Sequence, residues 1–175
     1  KILIALNMEK IIKHIWSYIK SENSDEILPV FCDKKTRSTG EMPRWWTVKD
    51  NVLTHKSHIN RCVYDSKWEE SEAFCLEHNN NVRAYAKNDH LGFYVSYLYN
   101  GIIRRYFPDF LIKLDDEKYL ILEVKGRESD QDKIKRRALQ DWCRAVNRIK
   151  DYGFWSCDVS RNPADIDGII LQHAK

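Results

Sequence analysis

The chain has 175 residues, enough for one domain with a sizeable core, or one domain with an appendage. Charged residues make up 31% and hydrophobic ones 43%, and 29 Lys and Arg against 26 Asp and Glu leave a net charge of +3, which permits a nucleic-acid partner without requiring one. No apolar run reaches the roughly eighteen residues that a membrane span needs. The five cysteines (Cys32, Cys62, Cys75, Cys143 and Cys157) are widely spaced and never form a CxxC, so they read as reduced, mostly buried thiols of a cytoplasmic protein.

The chain begins at Lys1 without a methionine or a signal-peptide pattern, which reads as a piece of a longer polypeptide. Leu6, Ile11, Ile15 and Ile19, widened by Ile12 and Trp16, predict a packing helix over about 3–20 that would dock on an upstream domain. Val30-Phe31-Cys32 reads as a strand, Ser38 to Pro43 as a loop and Trp45 to Val48 as a second strand, with the tryptophan pair assigned to packing rather than to base stacking. His55, His58 and Cys62 raise a zinc site but lack a fourth ligand at a plausible spacing, and no zinc site is assigned. This extension is taken to run over 1–64, with the main core over 65–175.

Ser66 caps a helix whose third following residue is Glu69, a capping-box pattern. Trp68, Ala73, Phe74 (or Cys75) and Leu76 form its apolar face, and Glu69 and Glu72 lie one turn apart. After Asn79-Asn80-Asn81, strands are expected over Val82–Ala86, Phe93–Tyr99 and Ile102–Phe107, the last two joined by the hairpin turn Asn100-Gly101. Pro108 interrupts ladder pairing and presents Asp109 away from it.

A short polar turn at Asp115 to Lys118 returns the chain as Leu120 to Val124. Alternation puts Glu123 and Lys125 on one face and Leu120, Leu122 and Val124 on the other, with Asp109 opposite Glu123 or Val124. Like charges brought together cost energy unless a cation neutralises them. Oxygen ligands suit Mg²⁺, with Mn²⁺ as a substitute, so Asp109, Glu123 and the Val124 carbonyl are the expected metal ligands. Lys125 cannot bind the metal, but it can orient a water or offset charge on phosphorus.

Ser129 to Asp132 form a cap signal for a helix to about Lys150. Ile134, Ala138, Trp142, Ala145 and Ile149, widened by Leu139 and Val146, make its core stripe. Arg127, Lys133 and Lys135 are the expected contacts to nucleic-acid phosphates. Gly153 fits a helix-exit turn, Phe154–Ser160 a last strand, and Asn162-Pro163 the start of a terminal helix. Together the elements predict an α/β fold, a mixed central sheet flanked by helices.

Pro108-Asp109, a gap of thirteen residues, and Glu123-Val124-Lys125 resemble the PD-(D/E)xK nuclease signature. Thr54 to Asn60, Asp65 to Glu69 and Tyr85 to Phe93 resemble the C-terminal endonuclease region of type III restriction enzyme Res (helicase–nuclease) subunits, and the likeness runs from about Cys32 to about Trp155. The resemblance implies a restriction-endonuclease-like fold and a Mg²⁺-dependent endonuclease cutting double-stranded DNA to 5′-phosphate and 3′-hydroxyl ends. Its implied partners are an upstream helicase domain of the same polypeptide and a modification (methyltransferase) subunit. It also implies an acidic residue on the helix after Asp65, Glu69 first and Glu72 second, and a polar residue, Gln140, on the helix after ExK that supports the residues of the site. No GxxxxGK[ST] loop occurs, so no ATP site is expected here. The competing expectations are a non-cleaving DNA-binding or docking module of the same fold, and a structure-selective or RNA-directed nuclease.

Overall fold

A computed structural model of the chain describes residues 8–17, 39–115 and 117–175. The chain divides into two units, residues 1–30 and 31–175. In the first, residues 8–17 form helix α1, whose Met8, Ile11, Ile12, Ile15 and Trp16 are all exposed. The rest of the expected N-terminal helix and the expected strand at Val30–Cys32 lie outside the described residues.

In the second unit, strict alternation along a seven-residue strand divides the core in two. Leu120 and Leu122 of β7 (Lys118–Val124) join one buried cluster and Ile121 the other, so both faces of this strand are covered. The sheet order is β3-β6-β7-β8, with β3 (Val82–Lys87), β6 (Phe110–Leu114) and β7 antiparallel, and β8 (Phe154–Ser160) parallel to β7. One face carries Tyr85, Phe110, Ile112, Leu120 and Leu122 against α2 (Lys67–His78) and α4 (Ile166–Ala174), through Ala73, Leu76, Ile166 and Ile170. The other packs Ile121 against Leu139 and Cys143 of α3 (Asp130–Ile149). The architecture is mixed α/β with helices against the central sheet, in line with the fold class read from the sequence.

Two further two-stranded sheets complete it. β1 (Asn51–Leu53) pairs with β2 (Arg61–Val63), and β4 (Val95–Tyr99) pairs with β5 (Ile102–Tyr106) around Asn100-Gly101. Asn100 (φ 52°) and Gly101 (φ 77°) both occupy the left-handed region that such a hairpin turn requires. This hairpin is a separate ribbon, packed through Val95, Tyr97 and Tyr106 onto the α3 side.

Several local expectations are corrected. The strand at Trp45–Val48 does not form; the pairing lies at Asn51–Leu53 instead, and Trp46 is 96% exposed while Trp45 stacks on His90 at 4.4 Å. On α2, Trp68 and Phe74 are exposed and the buried positions are Glu72, Ala73 and Leu76. On α3, Ile134 is exposed and Cys143 takes a core position. Lys150, not Gly153, is the left-handed C-cap of α3.

Gly153 has a different task. At φ 73° it leads into β8, and a Cβ there would meet the Glu117 carbonyl at 2.5 Å and the Tyr119 ring at 2.6 Å. That carbonyl is already fixed by Phe154 N–H at 3.0 Å. Gly153→Ala is therefore expected to destabilise by about 2 kcal/mol or more, from backbone strain with an added clash. Gly101→Ala, where nothing lies within 4 Å, should cost only the conformational part, about 1 kcal/mol. Urea denaturation of both variants checks the contrast, and equal losses would refute it.

Candidate functional site

The site is built where regular pairing stops. β5 ends at Tyr106 and β6 starts at Phe110, so Phe107, Pro108 and Asp109 lie between ladders, as Pro108 requires. Asn88, just past β3, pins this segment: its N–H donates to the Asp109 carbonyl at 2.8 Å and its side-chain amide to the Pro108 carbonyl at 3.0 Å. The register Phe110 to Leu122 puts Asp109 level with the end of β7. Val124 N–H donates to Asp109 Oδ2 at 2.7 Å.

Asp109 thereby lies at the sheet end, where groups from both faces reach it. From the α3 side comes Glu123, whose Oε2 accepts from the Tyr106 hydroxyl at 2.6 Å. From the α2 side come Glu69, whose charge both Asp109 and Glu72 feel, and Glu72, which also feels Asp109. Burial raises the Asp109 carboxyl above its ordinary value, and the Glu69 charge adds to this against the Val124 N–H and the Lys87 ammonium. Burial, and then the Asp109 charge, lift Glu123 to about 7 despite Tyr106, Lys125 and Lys135.

Glu72 is the least expected member. It is 0% exposed, and among the described residues neither carboxylate oxygen has a hydrogen-bond partner. The nearby Ser160 hydroxyl gives its hydrogen to the Asn162 carbonyl. Burial, reinforced by Asp109 and Glu69, raises Glu72 to about 7. Glu69 itself plays two parts: Oε2 accepts from Asp65 N–H at 3.1 Å, a variant of the expected helix-start cap, and pairs with the Lys87 ammonium at 2.8 Å.

Lys125 follows Glu123 on the α3 side, its N–H given to the Ser160 carbonyl at 2.9 Å and its ammonium to Asp132 Oδ1 at 2.5 Å. Asp132 also caps α3 through Ser129 and takes Lys135 at 3.2 Å. Although burial opposes it, the hydrogen bonds from Lys125, Ser129 and Lys135 hold the Asp132 carboxyl far below the usual range. Lys135 also lies over the Tyr106 ring at 5.5 Å, and with Tyr106, Glu123, Lys125 and Asp132 it lines a small cleft.

The remaining sequence-predicted residues fall further out. Lys133 is exposed and engaged with Asp130 at 2.8 Å, Arg127 is exposed, and Gln140 is exposed on α3. His55, His58 and Cys62 stay apart in role: Cys62 is buried in the core, His58 Nδ1 meets Thr39 Oγ1, and His55 N–H donates to Glu77. Sequence reasoning missed Lys87, Tyr106 and Asp132. Asp132 was legible as the N3 acid of the Ser129 capping box, whereas a lysine ending an apolar strand gave Lys87 no signal.

Among the described residues, no three His, Cys, Asp or Glu side chains already converge as a metal ligand set. The donor chemistry nevertheless suits a hard divalent cation: every candidate ligand is oxygen, and Glu72 leaves two buried oxygens without a partner beside Asp109. No family model matches the chain, and no curated protein or solved structure matches it. No described helix is long and apolar enough to cross a membrane.

The raised carboxyls fix a pH dependence. A carboxyl lifted from 4.5 to about 7 binds more protons folded than unfolded across that window. Its stabilising contribution is present below about pH 4.5 and is lost as pH rises towards 7. Metal-free protein should therefore weaken over this range, with Glu72 contributing on the order of 2 kcal/mol. Glu72→Gln should flatten part of the slope and match or exceed wild type at pH 8; urea denaturation in EDTA checks this, and an unchanged slope would refute it.

Proposed function

We propose that this chain is a metal-dependent endodeoxyribonuclease module with a restriction-endonuclease-like fold, the cleavage domain of a type III restriction system. The observation that carries the reading is the position of Asp109 at one sheet end between acids of opposite faces, Glu123 on one and Glu69 and Glu72 on the other, with Lys125 two residues beyond Glu123. The Asp–ExK spacing and the likeness to Res endonuclease regions support it further.

Asp109, Glu123 and the Val124 carbonyl would hold Mg²⁺ or Mn²⁺, with Glu72 as a further oxygen donor, and Glu69 bordering the site. When bound, such an ion acidifies water and polarises a phosphoryl oxygen. The protein's own groups supply the rest. Tyr106 holds Glu123 in one rotamer through its hydroxyl. Asp132 fixes the position of the Lys125 ammonium, which would exchange that bond for a non-bridging phosphate oxygen as charge grows there. Water oxygen joins phosphorus in line with the departing 3′ oxygen, and the products are a 5′-phosphate and a 3′-hydroxyl. Lys135, which lines the cleft, would meet an adjacent phosphate of double-stranded DNA, and the exposed Arg127 and Lys133 would add further phosphate contacts. The helicase domain and the methyltransferase subunit, together with a cytoplasmic setting, complete the proposed context.

One observation favours a second reading, a DNA-binding or docking module that does not cut. Asp109, Glu123 and Lys125 are each already engaged within the chain, by Val124, Tyr106 and Asp132. Supercoiled-plasmid nicking with Mg²⁺ or Mn²⁺ separates the two. Wild type should nick, EDTA should abolish it, and Asp109→Ala, Glu123→Gln and Lys125→Ala should each lose about 10²-fold or more. Binding without nicking would favour the docking module. Stronger cleavage of RNA or single strands than of duplex would move the substrate assignment to an RNA-directed or structure-selective nuclease.

A further inference from the structure

Lys87 is a buried ammonium that the cleavage reading leaves unused. It ends β3 on the α2 face and is only 6% exposed. Three acceptors surround its nitrogen: Glu69 Oε2 at 2.8 Å, Asp89 Oδ2 at 3.1 Å and the Val63 carbonyl at 2.8 Å. An ammonium has three hydrogens, so this set satisfies it completely. Val63 comes from the β1–β2 hairpin, Glu69 from α2 and Asp89 from the loop after β3, so a single charge ties three elements together.

Its position relative to the candidate metal site is set by the backbone. Lys87 pairs with Phe110, and the next residue, Asn88, bonds the Asp109 carbonyl. Glu69 and Lys87 are both felt at Asp109, with opposite sign. The carboxylates on the α2 side of Asp109 thus have a resident positive charge among them. Two-metal phosphodiester sites place their ions about 3.5–4 Å apart, held between shared carboxylates. Here one of the carboxylate groups that would hold a second ion is already neutralised by a covalently attached cation.

We infer that the Lys87 ammonium takes the place of a second divalent ion, and that the site binds one metal per chain, with Lys87 fixing Glu69 and Asp89 as a positioning residue. The inference rests on the cleavage-site reading for the first ion. Unlike a metal, Lys87 needs no binding equilibrium and activates no water. Its part is to hold the α2-side carboxylates in place and to limit how many ions the cluster admits.

Mn²⁺ titration of the whole chain, with free ion followed by electron paramagnetic resonance, reads stoichiometry without reference to cleavage. Wild type should bind about one Mn²⁺. Lys87→Met should bind a second ion as Glu69 and Asp89 lose their counter-charge, whereas Lys87→Met combined with Glu69→Gln should return to about one. Two ions in wild type would overturn the inference and leave the cleavage site standing. No ion in wild type would overturn both. One ion in Lys87→Met with unchanged affinity would overturn the inference alone. If circular dichroism shows that Lys87→Met does not fold, the wild-type count decides: about one upholds the inference and two overturns it.

Discussion

Burying several carboxylates at one end of a sheet is unfavourable, and the architecture around Asp109 follows from how that burden is met. The Val124 N–H secures one oxygen of Asp109, the Tyr106 hydroxyl secures one of Glu123, and Lys87 neutralises Glu69. Among the described residues Glu72 receives no such partner. What remains is a set of acids that burial raises above their ordinary values, which the proposed cation would neutralise. A core polar group without a partner is costly, so its presence beside Asp109 and Glu69 points to function rather than to packing.

The two faces of the sheet divide the work. On the α3 side, Glu123, Lys125, Asp132 and Lys135 form a chain of alternating charge that ends in an open cleft, which suits contact with a phosphodiester. On the α2 side, Glu72 and Lys87 are buried, with Glu69 and Asp89 partly exposed beside Lys87. Asp109 joins the layers because Pro108 releases it from strand pairing and Asn88 fixes it there.

Much of this was legible in the chain itself. Period-two alternation assigned Leu120, Leu122 and Val124 to one face and Glu123 and Lys125 to the other, and the core clusters follow that division. The Asn100-Gly101 turn, the Ser66 and Ser129 caps and the lapse at Pro108 were readable because each rests on local chemistry. Long-range placement was not. Nothing local says that Glu72 displaces Trp68 and Phe74 from the buried face of α2, because that choice depends on which helix face meets Asp109. Lys87 escaped for the same reason: its three acceptors come from residues 63, 69 and 89, which only the fold brings together. The tryptophan pair misled because two adjacent apolar rings look like core, whereas Trp45 stacks on His90 and Trp46 is exposed.

We propose that a divalent cation completes the Asp109 cluster. Thermal unfolding at pH 8, with and without Mg²⁺, tests it most directly for wild type and Asp109→Asn. A ligand at about a hundred times its dissociation constant stabilises by about 2.7 kcal/mol, a shift of several degrees. Wild type should rise by this order on adding Mg²⁺, while Asp109→Asn should start higher in EDTA and respond little. A wild type indifferent to Mg²⁺, or a variant that responds equally, would contradict the account.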